Sequence, residues 1–185
     1  PFVPTRVISS AIRRSAADIR LWIRETRSRT DRPFGVNLVP PGGGPDGFEA
    51  QLSIVLEERP KVLSLFWGDF SQAIPRARAA GIVTMVQTGS VAEARKAAQD
   101  GADMIIAQGI EAGGHRGMFL SDDLTTQIGL FALLPQVVAA VKVPVIAAGS
   151  IADARGVAAA MALGAAGVQA GTAYLLCPEA TTTAV

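Results

Sequence analysis

A six-residue phrase occurs twice in this chain: Ser90-Val-Ala-Glu-Ala-Arg95 returns sixty residues later as Ser150-Ile-Ala-Asp-Ala-Arg155. In each copy a serine precedes an acid by three residues. The hydroxyl can accept from orphan N–H groups of a first helical turn while the acid reaches back. Both serines are therefore expected to be helix N-caps. Each helix runs on to a glycine, Gly101 or Gly164, and past it comes a short apolar run, Met104-Ile-Ile-Ala107 or Gly167-Val-Gln-Ala170. The repeated unit is helix, glycine stop, buried strand.

Other segments follow the same grammar. Apolar runs at 34–39, 62–67, 82–87 and 143–148 bring the expected strands to six, and helices are expected at 15–29, 48–58, 71–80, 91–100, 129–141 and 152–163. The runs are apolar on both faces, as in parallel strands covered by helices, and one helix between successive strands means βαβ units. A doubly wound sheet and a (β/α)8 barrel both satisfy this pattern. The strand ends favour the barrel, because nearly every run exits into a polar or glycine-rich loop, collecting candidate residues on one rim. The chain has 185 residues, a length for one domain, whereas a barrel usually takes about 200 or more. The expectation is α/β: a single domain over 1–185, a (β/α)8 TIM barrel without its first two strands and its C-terminal segment, or interrupted within 1–14.

Charge and composition exclude several classes. Seventeen Lys+Arg against 16 Asp+Glu leave +1, so no global field points to nucleic acid or an anionic membrane. Eight arginines fall in the first 32 residues, but in the helix from Ser15 they lie opposite Ile19, Trp22 and Ile23 and read as a solvated face. Residues 156–178 carry no charge, yet Gly156, Gly164, Gly167 and Gly171 suit a helix, turn and strand better than a membrane span. One cysteine, Cys177, makes no internal disulfide, and residues 1–10 show no leader-like apolar stretch, so a cytoplasmic protein is expected.

The most informative stretch is Gln108-Gly-Ile-Glu-Ala-Gly-Gly-His-Arg-Gly117, where glycines and the one histidine follow directly on a buried strand. Gly113 and Gly114 permit close approach of backbone to a ligand, and His115 can take or give a proton near neutrality. A histidine without a role is the plainer alternative. Glu111 and Arg116 are expected to order the loop as a pair. Gly149-Ser150 and Gly171-Thr172 follow the last two strands, where barrels commonly hold phosphate on backbone N–H groups and a helix dipole. Both glycines could equally be plain turns. Asn37, Gln87 and Gln108 end apolar runs, where an amide needs partners: a heteroaromatic ring or backbone groups would serve. Asp122 and Asp123 cap the next helix or face solvent, and no metal site is read, since one histidine has no carboxylates at ligand spacing.

Taken together, 107–117 resembles the signature of the nitronate monooxygenase family, formerly 2-nitropropane dioxygenases. Phe34-Gly-Val-Asn37, Pro144-Val-Ile-Ala-Ala-Gly-Ser150 and Gly167-Val-Gln-Ala-Gly-Thr172 occur in that family's order and spacing. The resemblance implies an FMN-dependent TIM-barrel oxidoreductase that oxidises alkyl nitronates, or nitroalkanes, with molecular oxygen. It implies His115 as catalytic base and Asn37 as a substrate or flavin contact. It also implies the FMN phosphate at Gly149-Ser150 and Gly171-Thr172. The family commonly has Gly where this chain has Ser150, and its first-strand flavin contact has no counterpart here. Flavin-dependent enoyl-acyl-carrier-protein reductases share the fold and much of the motif and are the alternative. A cofactor-free isomerase or aldolase barrel holding a sugar phosphate comes next, though no lysine ends a strand for Schiff-base chemistry. A non-catalytic flavin-binding remnant is a third class.

Overall fold

A computed structural model describes residues 6–8, 14–40 and 45–178. Seven strands alternate with six α-helices: β1 (Arg6–Ile8), α1 (Ala16–Arg29), β2 (Phe34–Leu38), α2 (Gly47–Glu58), β3 (Val62–Leu65), α3 (Ala73–Ala79) and β4 (Val83–Thr88). Then come α4 (Val91–Gln99), β5 (Met104–Gln108), α5 (Leu130–Ala140), β6 (Val145–Ala148), α6 (Ala154–Ala162) and β7 (Gly167–Gln169). Six of the strands coincide with the six apolar runs, β4 and β5 each ending one residue past theirs. The seventh, β1, lies ahead of them and pairs in parallel with β2, Val7 opposite Gly35. Three residues are too few to show a period-2 pattern. Most of the rest of 1–14, where an interruption was considered, lies outside the described residues.

Every neighbouring pair is parallel and the order is β1-β2-β3-β4-β5-β6-β7. A doubly wound sheet reverses direction at a switch point, and this one never does. With right-handed crossovers all helices then fall on one face, so the sheet rolls up with its other face inward. This is the (β/α) barrel architecture. Two apolar clusters match it. The larger packs Ile19, Ile23, Leu52, Val55, Ile74, Leu133, Leu134 and Val137 from the helices against Val36, Leu63, Leu65, Val86, Ile105 and Ala147. The smaller, Val62, Met85, Ile106 and Ala148 with Met104 and Ile146, fills the inside. Each fully buried Leu or Ile contributes about 1.5–3 kcal/mol relative to exposure.

Local signals set most helix ends. Ser15 accepts from Asp18 N–H at 3.1 Å while Asp18 takes the Ser15 N–H at 3.2 Å, a complete capping box. The α1 arginines lie on the exposed face, opposite the buried Ile19 and Ile23, as expected, and they are paired there. Arg20, Arg24 and Arg27 all reach across to the end of α2, Arg24 at 2.8 Å and Arg27 at 3.2 Å from the Glu58 carboxylate. Burial opposes ionisation of Glu58, but hydrogen bonds from Arg24 and Arg27 outweigh it and hold its pKa below the usual range. The charge-free stretch 156–178 resolves into α6, a turn at Gly164 (φ +95°), β7 and a 3-10 turn, Thr172–Leu176. Among the described residues, no helix is long and apolar enough to cross a membrane.

Candidate functional site

Side chains two apart on a strand share a face, so the residues following the inner cluster point to the same interior at its C-terminal rim. Gln87 follows Met85, Gln108 follows Ile106, and Asn37 is in register with Ser64, itself in register with Met85. Gln108 and Gln169 flank Ala148 in the register. Asn37, Gln87, Gln108 and Gln169 therefore ring one mouth, a set from which sequence reasoning omitted Gln169. Its signal was its place in the second repeat, last in a three-residue strand.

The four amides are not equally free. Asn37 Nδ2–H donates to the Ser64 carbonyl at 3.2 Å and the Ser64 hydroxyl at 3.3 Å. Gln108 is engaged in both senses: its Nε2 donates to the His115 carbonyl at 2.9 Å and its Oε1 accepts from Gly117 N–H at 2.6 Å. The backbone alternative thus describes Gln108, whose part is to hold the histidine loop. Gln87 is 8% exposed, and no described residue hydrogen-bonds its side-chain amide. Its amide atoms are not among the fully buried ones without a partner, so the polar end of the side chain opens to the mouth.

The loop over this rim is fastened by Arg116. Its guanidinium donates to the Ile110 carbonyl at 2.7 Å, to Ala112, and to Gly114 at 2.9 Å. Glu111 does not pair with it. That carboxylate accepts from Leu130 N–H at 2.9 and 3.1 Å, closing the N-terminus of α5. Arg116 and Glu111 do order the loop, but separately. Glycine is required at Gly109, where a Cβ would stand 2.5 Å from the Leu130 backbone nitrogen; at Gly113 a Cβ would stand 2.4 Å from the Thr172 hydroxyl, which would have to turn aside. The second contact brings the histidine loop and the loop after β7 together. Gly114 (φ +80°) and Gly171 face open space.

Ser150 departs from expectation. It lies in the left-handed region (φ +48°) after Gly149 (φ +136°), and α6 begins only after Asp153, whose carboxylate accepts from Arg155 and Gly156 N–H. Ser150 is therefore not the N-cap; its hydroxyl donates to the Glu111 carbonyl at 3.1 Å. The left-handed φ also explains why glycine suits this position. Asp123 caps the 3-10 turn Leu124–Thr126, and Asp122 is exposed. Among the described residues no cluster of three His, Cys, Asp or Glu could hold a metal ion.

His115 is exposed, and its ring rests against Trp67, centroids 5.1 Å apart at 86°, with Phe66 at 6.5 Å. Sequence reasoning ran the third strand through Trp67 and gave neither aromatic a role. It took Glu93 only as the acid of a helix cap; the carboxylate, on a residue 1% exposed, accepts from Gly89 N–H at 2.9 Å and also from Phe119 at 2.5 Å and Leu120 at 3.0 Å. That acid pins the far end of the loop to the turn after β4.

Comparison with known proteins gives a consistent picture. A protein-family model described as nitronate monooxygenase matches residues 43–185. The nitronate monooxygenase of Pseudomonas aeruginosa is 38% identical over 213 residues, covering 95% of this chain and 61% of its own length. Among solved structures, nitroalkane oxidase from Streptomyces ansochromogenes superposes with TM-score 0.83 at 34% identity, covering 91% of this chain and 58% of that one. FabK from Thermotoga maritima superposes with TM-score 0.79 at 35% identity, covering 91% and 50% respectively. The chain spans about half to three fifths of the length of these relatives.

Proposed function

Because the chain belongs to the nitronate monooxygenase family, we propose that it is the FMN-binding barrel unit, over 1–185, of an oxidoreductase that oxidises alkyl nitronates with dioxygen. The observation that carries this reading is the histidine loop, held by Gln108 and Arg116 above a mouth ringed with amides. The residues present fit a flavin. Gln87 and Gln169 each offer an amide that no described residue hydrogen-bonds to the edge of a heteroaromatic ring, and Asn37, bonded to Ser64, does so less freely. Gly149, Ser150, Gly171 and Thr172 would hold the phosphate, Gly171 leaving open space and Thr172 offering a hydroxyl beside Gly113. The Arg116 charge, set among the carbonyls of 110–114, favours an anion between these loops. FMN bound there supplies one-electron oxidation of the anionic substrate and onward transfer to dioxygen.

The chain's own residues do the rest. The α-proton of a neutral nitroalkane is acidic, so His115 need only be a placed base; a preformed nitronate arrives without that proton and does not call on it. Gly113 and Gly114, lacking side chains, let substrate approach the imidazole. A cytoplasmic setting, without nucleic-acid or membrane partners, is part of the same proposal.

A visible absorption spectrum of the purified protein tests the cofactor, and Gly171→Asp, which sets a carboxylate beside the phosphate, should abolish flavin binding. Oxygen uptake is expected with propionate 3-nitronate and no NAD(P)H. Rapid NADH oxidation with turnover of an enoyl thioester would replace this reading with the enoyl reductase, and a colourless protein acting on a sugar phosphate with the isomerase. His115→Asn should lose about 10²- to 10⁴-fold on a neutral nitroalkane and keep most activity on the nitronate, with flavin still bound. Equal loss on both would show that the histidine stabilises the anion instead.

A further inference from the structure

The imidazole of His115 is hydrogen-bonded by no described residue, so no carboxylate or carbonyl orients it as in most placed histidines. What touches it is aromatic. Phe66 still follows the register of β3, its N–H donating to the Leu38 carbonyl at 3.1 Å. Trp67 then turns left-handed (φ +59°), and Gly68 follows at φ +87°. For a bulky side chain that conformation is an outlier, kept only where the surroundings over-determine it. Here they do. The indole Nε1–H donates to the Arg116 carbonyl at 2.6 Å, while the ring packs against Phe66 at 4.7 Å and stands perpendicular to the imidazole at 5.1 Å. Extended backbone at this position would place the ring on the face of Leu63 and Leu65, towards the helices and away from the loop.

We propose that Trp67 is the positioning residue for His115, fixing the orientation of its ring. The His115-Arg116 segment is gripped at both carbonyls, by Gln108 from β5 and by Trp67 from the end of β3. The two grips differ in kind: Gln108 sets where the backbone lies, and the indole, touching both the next carbonyl and the imidazole, sets where the ring points. The contact is made between protein groups alone. That it serves proton removal rests on the reading of His115 as a base.

Because His115 is the one histidine in the chain, its ring protons give isolated NMR signals that report on this contact directly. In the wild type the indole ring current should displace them from the positions of free histidine. Trp67→Leu should return them towards those positions, and Trp67→Phe, which keeps a ring but not the N–H, should do so only in part. The proposal is overturned if the signals stay in place in both variants. In turnover of a neutral nitroalkane, kcat should fall by about 10- to 100-fold in Trp67→Leu and about fivefold in Trp67→Phe, with KM, flavin occupancy and nitronate oxidation little changed. A loss carried by KM alone, or equal on both substrates, also overturns it. Should the signals move while His115→Asn keeps full activity on the nitroalkane, the base reading fails and the Trp67 contact stands.

Discussion

At the end of β4, Ser90 is extended (φ −146°), its hydroxyl accepts from Glu93 N–H, and α4 starts at once. At the end of β6, Ser150 is left-handed (φ +48°) and α6 waits three residues for Asp153. The acids part company as well. Glu93 is buried and bonded to the backbone of Gly89, Phe119 and Leu120, whereas Asp153 lies at the surface, closing its own helix. In the first copy the motif locks a loop of the neighbouring unit. In the second it releases Gly149 and Ser150 from the helix, leaving their backbone available to the proposed phosphate. Similar hexapeptides offer the same hydrogen bonds; the conformation of the preceding glycine decides which form. Gly89 is hemmed in by Met118 and Gln127, while Gly149 (φ +136°) meets only ordinary contacts with Ala112 and Gly109.

The largest effect should come from Glu93→Ala, which strips the partner from three backbone N–H groups, that of Gly89 buried and those of Phe119 and Leu120 part-buried, and should cost about 3 kcal/mol. The urea midpoint measures it, with m unchanged, and His115-dependent turnover should fall too as the loop loosens. Should Glu93→Ala cost no more than Ser90→Ala, the buried acid is not what separates the two copies. Ser90→Ala removes an N-cap alone and should cost about 1 kcal/mol by the same measurement. Ser150→Ala at the matching position should cost less, because Ser150 caps nothing.

Acid sharpens the contrast further. Hydrogen bonds from the Arg155 side chain, then from Gly156 and Arg155 N–H, hold the Asp153 pKa below its ordinary value. A depressed carboxylate contributes stability above its unfolded pKa, about 4, and loses it as pH falls through the lower folded value. Amide exchange at 155–158 should therefore quicken selectively below about pH 4, by a small factor because the group is exposed to solvent. Smallest of all should be Ser150→Gly. It relieves a left-handed serine and gives up one exposed hydrogen bond, so stability should stay within about 0.5 kcal/mol. Flavin content should hold as well. A clear loss of either would make the Ser150 hydroxyl, rather than the loop backbone, the element that matters.

From the sequence alone came whatever rests on neighbours a few residues apart. Helix repeats, the Ser90–Glu93 cap, glycine stops and doubly apolar strands are local patterns, and they were enough for a parallel barrel with candidate residues on one rim. Asn37, Gln87, Gln108, His115 and the two glycine loops are legible there as candidates, because a strand end facing a rim is itself a local signature. Only the tertiary structure decided what meets across that rim. The indole of Trp67 finds a carbonyl 49 residues away, Gln108 turns to the loop while Gln87 stays free, and Arg24 and Arg27 find Glu58 on another helix. The same holds for Ser150, which carries the signature of a cap and is not one. Hydrogen bonds within a turn compete only with one another, so spacing settles them. Those between separate elements depend on where packing of the core leaves each strand end, and the spacing of residues along the chain does not carry that.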